Sequence, residues 1–368
     1  MKRQEFESLF ADNLISPFNV QIQKNTINEI KNIISGFYEL RENENYQKFF
    51  QSEINKNNII NPGNKSMMMS FDFHLDENSN PRLIEINTNA AFLGLGTLLY
   101  QQKNLPAPVE NFSVRSIKEM ILNEMKLNQN TIPNQIAIID ESPSQQRLYI
   151  EFLLFKEMFE SFGWKTEILD CYENLDRRFN FVYNRTTDFY LSDDRLLNLK
   201  QKFNSKQICL SPNPYEYLLL ADKQRLIDWS SDAFFNNLHI SEKATTSIKR
   251  SILKTYELNT TNQNEIWNGR KNLFFKPKNA FGSKQSYKGQ SISRKTYEEL
   301  VLQNCVAQEY VAAPEVLLKT ENGEQKFKYD LRAYAYQDQL QLIIARIYQG
   351  QVTNLRTPNG GFACVEVI

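Results

Sequence analysis

A chain of 368 residues and 43.2 kDa, 41% hydrophobic and 12% aromatic, can bury roughly 75% of the surface its unfolded form exposes. Its core therefore needs no disulfide or metal staple, and the length corresponds to about two or three domains. Forty-three basic residues against forty-three acidic ones leave a net charge of +0, which speaks against a general nucleic-acid or membrane-surface binder. The opening residues, MKRQEFESLFADNL, are punctuated by charge and contain no apolar core of signal-peptide length. No run approaches the roughly 18 apolar residues that cross a membrane. Cys171, Cys209, Cys305 and Cys364 are widely spaced with no CxxC pair, so they read as buried thiols. His74 and His239 are too few for a histidine-rich zinc site. A soluble cytoplasmic protein is the expectation, without nucleic-acid or membrane partners.

Ile27, Ile30, Ile33, Ile34, Phe37 and Tyr38 recur at helical spacing and predict opening helices over residues 25–55. A strand pair follows over residues 67–75 and 82–87, around a turn-like stretch ending in Pro81. Val114, Ile117, Ile121 and Met125 mark another helix, and the polar segment 128–135 reads as a linker. Residues 135–140 then predict a strand, 145–162 a helix, 165–169 and 179–184 strands, and 195–203 a helix, an alternation that suggests parallel βαβ packing. Past Cys209, helical segments near 215–230 and 246–256 precede a polar loop over 259–271. A strand at 272–276, a helix at 294–302, a strand at 305–311, a hairpin of 329–336 with 341–349 and a closing segment 362–368 complete the chain. The expected class is α/β, in three regions: 1–130 with the N-terminal helices and the first hairpin, 131–205 as a small α/β domain, and 206–368.

Four stretches carry chemistry. Glu85 and Asn87 lie two apart on a strand and share a face, with Ile84 and Ile86 on the other. Asp72 on the partner strand can bring its carboxylate across, and two carboxylates with one amide oxygen suit Mg²⁺. A surface hairpin with alternating polar residues is the bland alternative. An apolar strand delivers Lys276 to a loop around Gly282, where backbone amides and Lys284 could lie over phosphates; a snorkelling lysine is the alternative there. The edges of Gln308, Glu309, Tyr310 and Val311 could hydrogen-bond a purine, with Glu315 near a ribose, or the stretch could be an ordinary core strand. Arg332, Arg346 and Arg356 near the hairpin suggest clamping of phosphate or carboxylate, against solvated strand arginines. No phosphate-loop, GxGxxG, HExxH or GxSxG motif is present.

The order of these pieces resembles the successive motifs of the ATP-grasp ligases, and Asp222-Lys223 is similar to the pair that introduces that family's first nucleotide-binding lysine. The metal motif comes first in this chain rather than last, which resembles the circular permutation of eukaryotic-type glutathione synthetases. Residues 84–94, including Asn89, are similar to the metal and substrate segment of those enzymes. Val182-Tyr-Asn-Arg185 resembles the segment that supplies a substrate-carboxylate arginine. Gln146 falls where a substrate-contacting polar loop would lie, and Asn354 to Ala363, with Gly360 and Gly361, resembles the C-terminal arginine and glycine-rich flap. The resemblance implies an ATP-grasp fold with an inserted parallel α/β substrate domain.

It also implies ATP and Mg²⁺ as cofactors, small-molecule carboxylate and amine substrates, amide formation through an acylphosphate, and an assembly compatible with a homodimer. Residues 206–368 would then hold the nucleotide. Ala90 and Phe92 stand where the synthetases present serines, Ser70 stands for an arginine and Pro358 for a lysine, and the loop after Lys276-Pro lacks an acidic metal ligand and a triple glycine. These departures imply an altered substrate. A ligase for a peptide or polyamine, and a nucleotide-binding module without catalysis, stay open beside the glutathione synthetase-like reading.

Overall fold

The computed structural model describes residues 13–109, 112–129, 132–278 and 286–368. Strand β1 (Val20–Ile22) leads into the helix Lys24–Glu42, whose Ile27, Ile30, Ile33, Ile34, Phe37 and Leu40 form one buried stripe, as their i, i+3, i+4 spacing requires. Asn43 then starts the helix Glu44–Phe49, its side chain accepting from the Tyr46 amide at 3.0 Å and so satisfying one of the donors left open at a helix start. Strands β2 (Met69–Leu75) and β3 (Pro81–Asn87) pair antiparallel. Asp76 makes their turn by accepting from the amides of Asn78 and Asn80, each at 3.0 Å.

The small α/β unit contains β4 (Gln135–Asp140), β5 (Lys165–Asp170), β6 (Phe179–Asn184) and β7 (Cys209–Ser211), all parallel in the order β5-β4-β6-β7. The helix Tyr149–Ser161 makes the crossover between β4 and β5. Strand β7 carries this sheet past residue 205. A second, antiparallel sheet follows, with β8 (Thr255–Leu258), β9 (Leu273–Pro277), β10 (Tyr287–Lys288) and β11 (Cys305–Glu309) in the order β10-β9-β11-β8. Its own core holds Phe275, Tyr297, Leu300 and Ala307.

Strands β12 (Glu315–Thr320), β13 (Gly323–Tyr336), β14 (Gln339–Tyr348) and β15 (Gly361–Val367) return to the first three strands. Together they form one sheet of order β1-β15-β14-β13-β2-β3, with β12 on β13. Alternation along β14 splits the core in two. Ile343, Ala345 and Ile347 join the layer under Lys24–Glu42, whereas Leu342 and Ile344 join Phe92, Leu95, Phe155 and Phe362 on the opposite face.

Several elements depart from the sequence expectation. The helix expected to reach 256 ends at Ser251, because Thr255–Leu258 pairs with β11. A helix, Gln263–Gly269, occupies part of the expected polar loop. Strand β13 begins at Gly323, where it pairs with β12, rather than near 329. The helix Leu93–Gln102 buries Leu93, Gly94, Leu95, Gly96, Leu99 and Tyr100, which leaves little polar face for a periodic signal. All four cysteines are buried and free. Among the described residues no helix is long and apolar enough to cross a membrane.

Candidate active site

The large sheet and the antiparallel sheet face each other across a cleft of about 630 Å³. Among the described residues seven cationic side chains line it, Arg147, Lys223, Lys276, Lys328, Arg332, Arg346 and Arg356, against the four carboxylates of Asp72, Glu85, Glu309 and Asp330. In-register partners point to the same side of a sheet, so Arg332, Asp72 and Glu85 form one row and Asp330, Arg346 and Phe362 another. Asp72 accepts from Arg332 Nε at 2.9 Å and Nη2 at 2.7 Å, and from Arg346 Nη2 at 2.8 Å. Arg346 Nε also donates to Asp330 at 2.6 Å, and the Thr353 hydroxyl donates to the other Asp330 oxygen. The two Nη1 nitrogens have no partner among the described residues. Burial pushes the Asp72 carboxyl up, but the two guanidinium groups outweigh it and hold the carboxyl well below the usual range.

This arrangement changes the part Asp72 can take. Its oxygens are committed to arginines, so the oxygen donors left on the hairpin are Glu85 and Asn87. The Asn87 amide nitrogen donates to Asp72 at 3.2 Å and lies 3.5 Å from a Glu85 oxygen, which leaves its carbonyl oxygen as the open acceptor. One carboxylate and one amide oxygen fit a Mg²⁺ that keeps water and phosphate oxygens for its other positions. A β-bulge between Asp72 and Phe73 makes Ile84 the extra residue of β3. Ile84 therefore lines the cleft instead of pointing away, and its carbonyl accepts from Lys276 Nζ at 3.2 Å and Gln308 Nε2 at 3.4 Å. Local alternation of polar and apolar residues cannot reveal a bulge that forms only when two strands pair.

Lys276 and Phe274 alternate with the core residue Phe275 along β9, and Lys276 also donates to Gln308 Oε1 at 2.9 Å. Burial, opposed by the Glu85 and Asp72 carboxylates and reinforced by the nearby Lys223 ammonium, brings its pKa down to about 8. Lys223, Gln308, Glu309, Tyr310, Val311, Arg332, Arg346 and Arg356 all line the same cleft. The amides of Glu309 and Tyr310 are already engaged, donating to the Lys254 and Asn272 carbonyls at 2.8 Å. His74, not expected from the sequence, donates from Nδ1 to the Val311 carbonyl at 2.8 Å and lines the cleft. A lone histidine on a strand carries no local signal of that role. Gly282 and Lys284 lie outside the described residues.

Other expected residues sit elsewhere. Glu315 starts β12, is ion-paired with Lys326 and does not line the cleft. Arg185 is buried and does not line the cleft; it donates to the Asn89 carbonyl, while the Asn89 amide donates to the carbonyls of Thr186 at 3.0 Å and Arg185 at 3.4 Å. Gln146 is exposed and donates to the Glu141 carbonyl at 2.7 Å; its neighbours Arg147 and Leu148 reach the cleft instead. Gly361 has φ +107°, and a Cβ there would fall 2.6 Å from the Leu14 carbonyl; one on Gly360 would fall 2.7 Å from that of Ile347. The two glycines thus let backbones cross and deliver Phe362 to the cleft.

No family model matches the chain, and no curated protein is similar to it in sequence. A solved structure of a glutathione synthetase-like effector from Globodera pallida is similar over 99% of this chain and 96% of its own, with a TM-score of 0.61 at 9% identity. A putative γ-glutamylcysteine synthetase from Methylobacillus flagellatus KT is similar over 88% of this chain and 84% of its own (TM-score 0.48, 8% identity). The ATP-grasp ligase PsnB with its minimal precursor is similar over 63% of this chain and 89% of its own (TM-score 0.30, 9% identity). With the first hairpin, the small parallel sheet and the antiparallel sheet following one another in that order, the chain is of the α/β class and shares its fold with the glutathione synthetase-like effector.

Proposed function

We propose that this protein is an ATP-dependent carboxylate–amine ligase. The observation that carries the reading is the convergence of Lys223, Lys276, Glu85, Asn87 and the Arg332–Asp72–Arg346–Asp330 network on one cleft. Lys223 and Lys276 hold the triphosphate, and Gln308 with Glu309 to Val311 lies against the purine. Glu85 and Asn87 would hold Mg²⁺, which when bound supplies charge neutralisation at the phosphates. Arg332 and Arg346 are aimed by Asp72 and Asp330, and their Nη1 groups, with Arg356, neutralise charge on the phosphoryl group in flight. Such fixed charges need no reorganisation at the moment of transfer. A carboxylate oxygen attacks the γ-phosphorus and ADP leaves; an amine then displaces phosphate from the acylphosphate and leaves an amide.

The test is thermal melting with ATP and Mg²⁺, followed by a screen of acids and amines for stimulated ADP release. Saturation at 100 times Kd corresponds to about 2.7 kcal/mol of added stability. No shift at millimolar ATP would overturn the reading, and a shift without any stimulated ADP release would favour a nucleotide-binding module instead.

A further inference from the structure

Among the described residues, one wall of the cleft carries no anion. Asp72 and Asp330 are taken up by Arg332, Arg346 and Thr353. Glu85 stands beside Asn87 near Lys276, and Glu309 is exposed on the antiparallel sheet. Residues 279–285 contain no acidic residue. The remaining wall consists of Ala91, Leu148, Leu355 and Phe362, with Arg147 and Arg356 at its rim. Phe362 stacks on Phe92 at 3.8 Å between ring centroids and 10° between planes, and Leu148 and Leu355 pack against the same core cluster. Arg147 Nη2 ties the two loops by donating to the Leu355 carbonyl at 2.5 Å. Behind this wall Tyr334 donates to the Ala91 carbonyl, Arg185 donates to the Asn89 carbonyl while its buried Nε has no partner among the described residues, and the buried Glu151 carboxylate is taken up by the amides of Phe92 and Gly94.

We infer that the acid substrate is a carboxylate with an apolar body and no ammonium group beside the carboxyl, its hydrocarbon lying on Ala91, Leu148, Leu355 and Phe362. The inference rests on the ligase reading and narrows it. A zwitterionic amino acid would place its ammonium among guanidinium groups and hydrocarbon, desolvated and without a counter-ion. An uncharged body at the same position loses nothing and covers the half-buried side chains of Leu148 and Leu355.

The test compares 3-phenylpropionate with L-phenylalanine, which differs by the ammonium group alone, using the full chain with ATP, Mg²⁺ and hydroxylamine. A carboxylate oxygen bonds to the γ-phosphorus as the β–γ bridging bond breaks, its electron pair leaving with ADP. The hydroxylamine nitrogen then bonds to the acyl carbon, phosphate departs, and the nitrogen gives its proton to water, leaving a hydroxamate. We expect kcat/KM at least 100-fold higher for 3-phenylpropionate. N-acetyl-phenylalanine distinguishes a peptide C-terminus from a free acid, since efficient turnover of it points to the former. Leu148→Asp restores an anion to the wall at the N-cap of the helix Tyr149–Ser161, a position where Asp favours the helix, and should shift the preference toward phenylalanine by at least tenfold. Calorimetry of both acids, with and without a non-hydrolysable ATP analogue and Mg²⁺, decides the matter even without turnover. Equal or tighter binding of phenylalanine, or no binding of 3-phenylpropionate, overturns the inference. Failure to bind nucleotide would instead strike the ligase reading.

Discussion

Two carboxylates facing each other across one strand pair should behave in opposite ways. Asp72 is 1% exposed and compensates two half-buried guanidinium groups. Asp72→Asn keeps the volume but strands part of that charge, and breaking a buried pair costs about 3–5 kcal/mol, measurable by denaturant unfolding without nucleotide. Glu85 has no arginine partner, so Glu85→Gln should leave unfolding nearly unchanged while Mg²⁺-dependent ADP release falls at least about 100-fold, on the order of 2.7 kcal/mol in the barrier. If instead Glu85→Gln melts early and keeps its turnover, the metal assignment fails. Lys276 gives a third contrast. Because burial lowers its pKa to about 8, the unfolded chain binds more protons than the folded one between about 8 and the ordinary lysine value. The contribution of Lys276 to stability therefore rises with pH across that window and is most unfavourable below it. Lys276→Met should flatten that pH dependence and abolish the melting shift with ATP.

Single elements show where local pattern was enough and where it was not. The stripe from Ile27 to Phe37 and the apolar strand that ends in Lys276 were legible, because a periodic face or a short apolar run needs only its own residues to be seen. Strand β1 was not legible, since three residues gain strand character only by pairing in parallel with Val365, Glu366 and Val367. The helix Leu93–Gln102 was hidden for another reason. Phe92 sits before it at φ 83°, and its first amides are satisfied from a distant helix. Glu151, buried in the small domain, accepts from the amides of Phe92 at 2.7 Å and Gly94 at 3.1 Å. Glu151→Ala leaves both donors buried and unpaired, and should cost about 1–3 kcal/mol; Glu151→Gln, which keeps one acceptor, should recover part of it in the same unfolding measurement. The candidate site followed the same division. Lys276, Glu85 and the arginines were visible as residue types on strands and Lys223 only through the resemblance of Asp222-Lys223, whereas the Ile84 bulge, His74 and the wall without an anion depend on partners far away in sequence.

At the scale of the molecule, the large sheet is assembled from both parts of the chain: β15 lies between β1 and β14, and β13 lies against β2. Arg332 meets Asp72 across 260 residues. The hairpin that carries Glu85 thus leaves the ribosome long before the strand that neutralises Asp72 exists. During synthesis, Met69–Leu75 presents an unpaired edge and a carboxylate without its arginines, and long-range closures of this kind are slow and exposed to misassociation. The small parallel domain, whose strands pair among themselves from β4 to β7, has no such wait. Its amides should become protected first in pulse-labelled hydrogen exchange during refolding, with those of β2 and β13 following together. Nascent chains stalled before Tyr336 should resist protease in the small parallel sheet and be cut in the first hairpin, so the half of the cleft built on β2 and β13 is the last part of this protein to come into existence.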